Sequence, residues 1–298
     1  MSDRFPVPPL QVIRVVAPAG PLKGHDLDAG MELLRRRGFT VQEAPHVRDR
    51  EGYLAGPDWS RGEDLQEALD DPRVDAVWFA RGGFGTTRLL SGLSGESLTH
   101  RPKVLVGYSD ATALFAWASR FAGTTCLYAP SLQELAREGV CVLDSLWAAL
   151  DGQPLRIPAE GPEGAEGPFP VTGGCLSLCS VAVGTSWEPD ISGRWLFLED
   201  VGEPLYRIDR MLTHLAQAGW MKQAEGFLLG GFTGLGEGES YSEVIARVRE
   251  LAGPSMPLVT NLPVGHLKGK HTLPLGGAAR WDGTSLVVGD GDGPSAGC

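Results

Sequence analysis

The sequence predicts an α/β protein. An N-terminal parallel-sheet domain carries a strand–turn–helix elbow, and a C-terminal mixed α/β domain follows with a β-barrel-like antiparallel portion. Three observations lead there. In the first half, short apolar runs without alternation are separated by helix-like segments, the pattern of a parallel sheet covered on both faces. Asp151–Pro170, "DGQPLRIPAEGPEGAEGPFP", is dense in Gly, Pro and Glu and reads as a linker. Beyond it the strand-like pieces become short and turn-rich. The 298 residues thus divide into an α/β domain at 1–150, a linker at 151–170 and a mixed domain at 171–298.

Val12–Ala17 is a β-rich run ended by Pro18-Ala-Gly20. Asp26–Arg37 reads as a helix with Met31, Leu33 and Leu34 on its apolar side and Gly38 beyond its end. Phe39–Ala44 is a second strand, Ser60–Leu69 a helix capped by Ser60, and Asp75–Ala80 a third strand. Thr86–Leu90 begins another helix, Val104–Val106 is a strand, Asp110–Arg120 a helix and Thr125–Leu127 a strand. In the second half, strands are expected at Arg194–Leu198, Gly226–Leu229, Pro257–Val259, Thr272–Leu275 and Ser285–Val288. Helices are expected at Tyr206–Gln217 and Tyr241–Leu251.

A net charge of −11 without a basic stripe argues against nucleic-acid binding. No apolar run reaches the ~18 residues of a membrane span, and the start lacks a signal-peptide pattern, so a soluble cytoplasmic protein is expected. Five cysteines in no regular framework suit a reducing compartment. Cys175 and Cys179 lack a second Cys/His pair nearby, so a zinc site is not expected.

Ser109, in "VLVGYSDATALF", sits where an apolar strand turns into a helix. Such a turn can raise a nucleophile, with the following N–H positioned for an oxyanion. Helix capping by Ser109 or Asp110 accounts for the same residues. A nucleophilic serine needs a base. Of six histidines, His25, His46 and His100 look solvated, and His214 fits a helix surface or packing position. His266, in the loop "LPVGHLKGKHTLPLG", is the stronger candidate and His271 the weaker, though both also suit ordinary loop positions. Glu199 and Asp200 end an apolar strand, where side chains line a crevice, and could orient an imidazole. The glycines of "FARGGFGTTRLL" can bring N–H groups to an anion, and Arg81 or Arg88 could meet a carboxylate or phosphate. The stretch fits neither a Walker loop nor a dinucleotide fingerprint.

Six blocks in order, "VVAPAG", "RGGFGTTRLL", "GYSDATAL", "GGCLSL", "FLEDVGEPLYRIDRML" and "GHLKGKHTLPLG", resemble the LD-carboxypeptidase family, which includes the microcin C self-immunity peptidases. The resemblance implies a serine peptidase with its site between two domains, no metal or cofactor, and a homodimer. It assigns Ser109 as nucleophile, His266 as general base and Glu199 as the orienting acid, with Gly82 and Asp110 supplying oxyanion N–H groups. Arg81, Gly83 and Cys175 are the expected substrate-binding residues. Cys175 departs from the family's frequent Gly-Gly-Asn, and a small buried cysteine is the alternative reading there.

The implied reaction is release of terminal D-alanine from the L-centre of a diamino acid in a cytoplasmic murein tetrapeptide. A self-immunity peptidase acting on peptidyl- or aminoacyl-nucleotides is the alternative, with Trp187 as candidate aromatic clamp. A non-catalytic two-lobed peptide-binding protein is the alternative of another class.

Overall fold

A computed structural model describes residues 7–24, 26–162 and 166–289, the side chain of Glu166 excepted. His25 and Cys298 therefore lie outside the described residues. The strands are β1 (Val12–Val16), β2 (Thr40–Glu43), β3 (Ala76–Phe79), β4 (Val104–Gly107), β5 (Thr125–Tyr128), β6 (Leu155–Pro158) and β7 (Glu166–Cys175). They continue with β8 (Trp195–Val201), β9 (Gly226–Thr233), β10 (Leu258–Val259), β11 (Leu273–Leu275), β12 (Ala278–Trp281) and β13 (Ser285–Val288). The helices are α1 (Asp26–Arg36), α2 (Asp58–Asp70), α3 (Glu96–His100), α4 (Ala111–Ala118), α5 (Leu132–Leu135), α6 (Val140–Leu150), α7 (Leu176–Ala182), α8 (Leu205–Gln217), α9 (Trp220–Gln223) and α10 (Tyr241–Ala252).

The first sheet runs β11-β5-β4-β3-β1-β2, parallel except for β11. Every residue of β3, β4 and β5 is buried, which is why these strands read as unbroken apolar runs. Helix α1 buries Leu27, Gly30, Met31 and Leu34, one helical stripe. It places Asp26 and Asp28 in its first turn and Arg35 and Arg36 in its last, as the helix dipole favours. Helix α4 is buried almost all round because both lobes cover it. The loops leaving β1, β3 and β4 share the carboxyl edge of the sheet, where open α/β sheets build crevices.

The second sheet runs β10-β9-β8-β7-β12-β13-β6. Strands β7 to β10 are parallel, and β7, β12, β13 and β6 are antiparallel. Its two edges meet where Glu160 and Thr260 exchange backbone hydrogen bonds of 2.9 and 2.6 Å, so the sheet curls into a barrel-like form. The α/β class with a barrel-like second part is thus the observed fold.

Several details differ from the sequence reading. Residues 151–170, expected as a linker, contribute β6 and the first half of β7. Leu155 and Ile157 of β6 bury their side chains despite the Gly/Pro-rich surroundings. Strand β11, expected among the closing pieces of the second domain, instead completes the first sheet beside β5. Ser60 does not cap its helix: α2 begins at Asp58, and the buried Ser60 hydroxyl donates to the Pro57 carbonyl. The helix expected from Thr86 is only two short 3-10 turns, Thr86–Arg88 and Leu90–Gly92. Among the described residues no helix is long and apolar enough to cross a membrane.

Candidate active site

Ser109 stands between β4 and α4 with φ of 61°, the left-handed region that costs a non-glycine residue about 1–2 kcal/mol. The buried Asp110 behind it accepts a 2.8 Å hydrogen bond from the Thr86 N–H and so ties the elbow to the end of the glycine loop. Burial pushes the Asp110 carboxyl above its usual range, against the hydrogen bonds from Thr86 and the nearby Arg61 charge.

Gly82 packs against the serine. A Cβ on Gly82 would lie 3.1 Å from Ser109 Cβ and 3.3 Å from its Oγ. Its carbonyl accepts the Gly20 N–H at 3.1 Å, which orients the loop. Among the described residues neither the Gly82 N–H nor the Asp110 N–H donates to a protein acceptor, although both residues are buried. Buried donors without acceptors are rare in folded proteins, so this pair is suited to a developing oxyanion.

Glu199, the fifth residue of β8, is fully buried. Its Oε2 accepts the His266 backbone N–H at 2.9 Å and lies 2.8 Å from His266 Nδ1, while Oε1 lies 3.1 Å from Nδ1. The loop that carries His266 is pinned at both sides: Gly231 N–H donates to Val264 O, and Thr233 Oγ1 donates to His266 O at 2.8 Å. Gly265 has φ of 110°, and a Cβ there would overlap Glu199 Oε2, so only glycine lets this turn pass the carboxylate. The Tyr108 ring packs 4.7 Å from the imidazole, and Lys270 Nζ lies 4.5 Å from the same ring.

One residue absent from the sequence reading joins these parts. Tyr128, the last residue of β5, donates from its hydroxyl to Glu199 Oε1 at 2.5 Å and accepts the Ser109 N–H at 3.1 Å. Its place at a carboxyl strand end was the available signal. Arg61 was also missed. Its buried guanidinium donates to the Gly56, Gly85 and Pro18 carbonyls and braces the loops after β1 and β3.

The remaining candidates separate. Arg81 is half-buried and donates to the Pro21 carbonyl at 2.8 Å, while Gly83 is exposed with φ of 117°. Arg88 forms an exposed ion pair with Asp58. Cys175 is buried: its Sγ lies 3.2 Å from Ser177 Oγ and donates to Asp200 Oδ1 at 3.5 Å, and its N–H donates to Thr112 Oγ1. Burial first, then the Glu199 and Asp200 charges, pushes its thiol well up. The expected contact of Cys175 with substrate is therefore corrected to internal packing at the start of α7. Asp200 points away from His266 and accepts the Ser177 and Val201 N–H groups. Trp187 is also buried, lining with Phe115 and Leu178 a cavity of about 70 Å³ between α4 and α7. His46 pairs with Asp49, His214 lies against Ser180 Oγ, and burial lowers the proton affinity of His271.

Residues 13–129 match the LD-carboxypeptidase N-terminal domain and residues 170–281 the LD-carboxypeptidase C-terminal domain. A putative carboxypeptidase of Streptomyces coelicolor is 38% identical over 288 residues, covering 91% of this chain and 90% of that protein. The murein tetrapeptide carboxypeptidase of Pseudomonas aeruginosa is 31% identical, covering 92% and 94%. The crystal structure of muramoyltetrapeptide carboxypeptidase from Oxalobacter formigenes superposes with a TM-score of 0.83 at 30% identity, covering 94% of this chain and 99% of that one. Two matched domains and full-length relatives together lead to one statement: the chain belongs to the LD-carboxypeptidase family.

Proposed function

We propose that the protein is a serine carboxypeptidase that removes D-alanine from the L-centre of a diamino acid in murein tetrapeptides. One observation carries the reading. A serine held at φ of 61° and the carboxylate of a Glu199–His266 pair share hydrogen bonds to a single tyrosine hydroxyl. The strain at Ser109 has no structural use that a glycine would not serve better, which favours a chemical one.

In this mechanism Ser109 Oγ attacks the scissile carbonyl carbon while His266 Nε2 takes its proton. The carbonyl oxygen becomes an oxyanion that receives the Gly82 and Asp110 N–H groups. Collapse expels D-alanine, whose amine takes the proton from His266, and leaves an acyl ester on Ser109. Water, deprotonated by His266, attacks that ester, and the proton passes back to Ser109 Oγ as the peptide leaves. Glu199 holds the Nδ1 proton and stabilises the imidazolium in both halves. Arg81, one residue before Gly82, is the cation proposed for the terminal carboxylate of D-alanine. The cytoplasmic setting and the homodimer implied by the family resemblance belong to the same proposal.

The test is incubation with tri-, tetra- and pentapeptide murein stems, reading products by mass, beside an aminoacyl-sulfamoyl adenosine. The reading expects alanine release from the tetrapeptide alone, and none from Ser109→Ala. Cleavage only of the nucleotide amide would establish the alternative, against which stands the burial of its candidate clamp Trp187. An intact tetrapeptide would overturn the proposal, and peptide binding without any hydrolysis would favour the non-catalytic reading.

A further inference from the structure

We propose that Tyr128 is a positioning residue for this reaction: its hydroxyl locks the nucleophile elbow to the Glu199 carboxylate and weakens that carboxylate's pull on the His266 proton. The proposal rests on the triad reading above. Its basis is the bridge itself, one hydroxyl between Ser109 N and Glu199 Oε1, formed by a side chain that is 1% exposed. The phenol cannot swing away, because Phe197, Tyr108 and Phe115 pack edge-on to its ring at 5.2, 6.2 and 6.4 Å. Its backbone is fixed between β4 and β11, opposite Gly107 and Leu273.

Two consequences follow from the direction of the hydrogen bonds. Because the Ser109 N–H already donates to Tyr128, it is engaged away from the substrate, and oxyanion stabilisation is left to Gly82 and Asp110. Because the phenol donates to Glu199, it competes with His266 for the electron density of that carboxylate. Burial and the Glu199 charge keep the phenol far above its ordinary range, so it stays a donor at every working pH. A carboxylate that already accepts a short hydrogen bond stabilises the imidazolium less, which keeps His266 available as a base. The other titratable groups facing this pair are Tyr108, Glu134 and Glu138 with Lys270 on one side, and Cys175 and Asp200 on the other. All are unchanged in the variants below.

The experiment compares the parent, Tyr128→Phe, and the parent carrying two ring fluorines beside the Tyr128 hydroxyl, which strengthens the donor without removing it. Phe should lower kcat about 10- to 100-fold with KM within about threefold, since the residue touches no substrate. The acid limb of the kcat/KM profile should move up by about 0.5–1 pH unit, and fluorination should move it down. NMR titration of the His266 ring should show the same two opposite shifts with no substrate present. An unmoved His266 midpoint in an active enzyme overturns the proposal and leaves the peptidase reading standing. If instead the parent cleaves no stem peptide while His266 shifts as stated, the peptidase reading falls and the coupling stands. A raised KM at constant kcat would place Tyr128 on the substrate and overturn the positioning role. Should Tyr128→Phe not fold, the fluorinated protein decides the question alone.

Discussion

Replacing Glu199 by glutamine tests the value of one buried negative charge. Oε2 receives the His266 N–H at 2.9 Å and Nδ1 at 2.8 Å, whereas Oε1 faces the Tyr128 hydroxyl. A glutamine can turn its amide nitrogen toward Tyr128, whose hydroxyl rotates to accept, and keep its oxygen on His266. The His266 contacts and tautomer are then preserved, and what is lost is the charge together with the acceptor of the Tyr128 proton. For an imidazolium 2.8 Å from a carboxylate, Coulomb's law at an effective dielectric of about 20 gives about 6 kcal/mol. The retained hydrogen bond offsets about 2 kcal/mol, leaving about 4 kcal/mol, or about 10³-fold in kcat/KM. The assay is alanine release from a murein tetrapeptide at pH 7, with a thermal midpoint recorded for each protein. An amide variant that folds normally and stays within about tenfold of the parent would refute the argument, because about 10³-fold is then not carried by the charge.

Ser109→Gly should erase hydrolysis yet stabilise the fold by about 1 kcal/mol in denaturant titration, since glycine accepts a φ of 61° without a Cβ clash. Gly265→Ala should abolish activity and lower the thermal midpoint, because its Cβ would drive into Glu199 Oε2 at a positive φ. Lys103 is buried and donates to the Asp71 and Val74 carbonyls, and burial pushes its pKa from 10.5 down to about 8. Between those two values the unfolded chain binds more protons than the folded one, so this group makes stability rise with pH. The unfolding free energy of the parent minus that of Lys103→Met should therefore increase from pH 8 toward pH 10.5 and be flat below about pH 7.

The parallel sheet was legible because fully buried strands leave apolar runs that no helix period explains. The elbow was legible because β4 passes into α4 with only Tyr108, Ser109 and Asp110 between them. Glu199 and His266 were legible as candidates, the first from its strand end and the second from its loop. Their 2.8 Å pairing, across 67 positions, leaves no local mark. Tyr128 was hidden for a different reason: an aromatic at the end of a buried run reads as core, and its hydroxyl's two partners lie on other elements. The supposed linker misled because β6 and β7 keep their strand geometry amid glycine and proline, tolerated near sheet margins and at irregular pairings. A three-residue strand such as β11 carries too little pattern to name its neighbour, so its sheet had to be seen.

That misplaced strand has a consequence for how the molecule comes into being. A ribosome delivers the first 150 residues with β5 missing one neighbour, an open flank that would invite stray pairing. The missing piece arrives more than a hundred residues later, and it follows His266 by only seven positions. Sealing the early half and delivering the imidazole are thus a single late event. On the proposed triad, the site gains its general base only when this strand closes the first sheet.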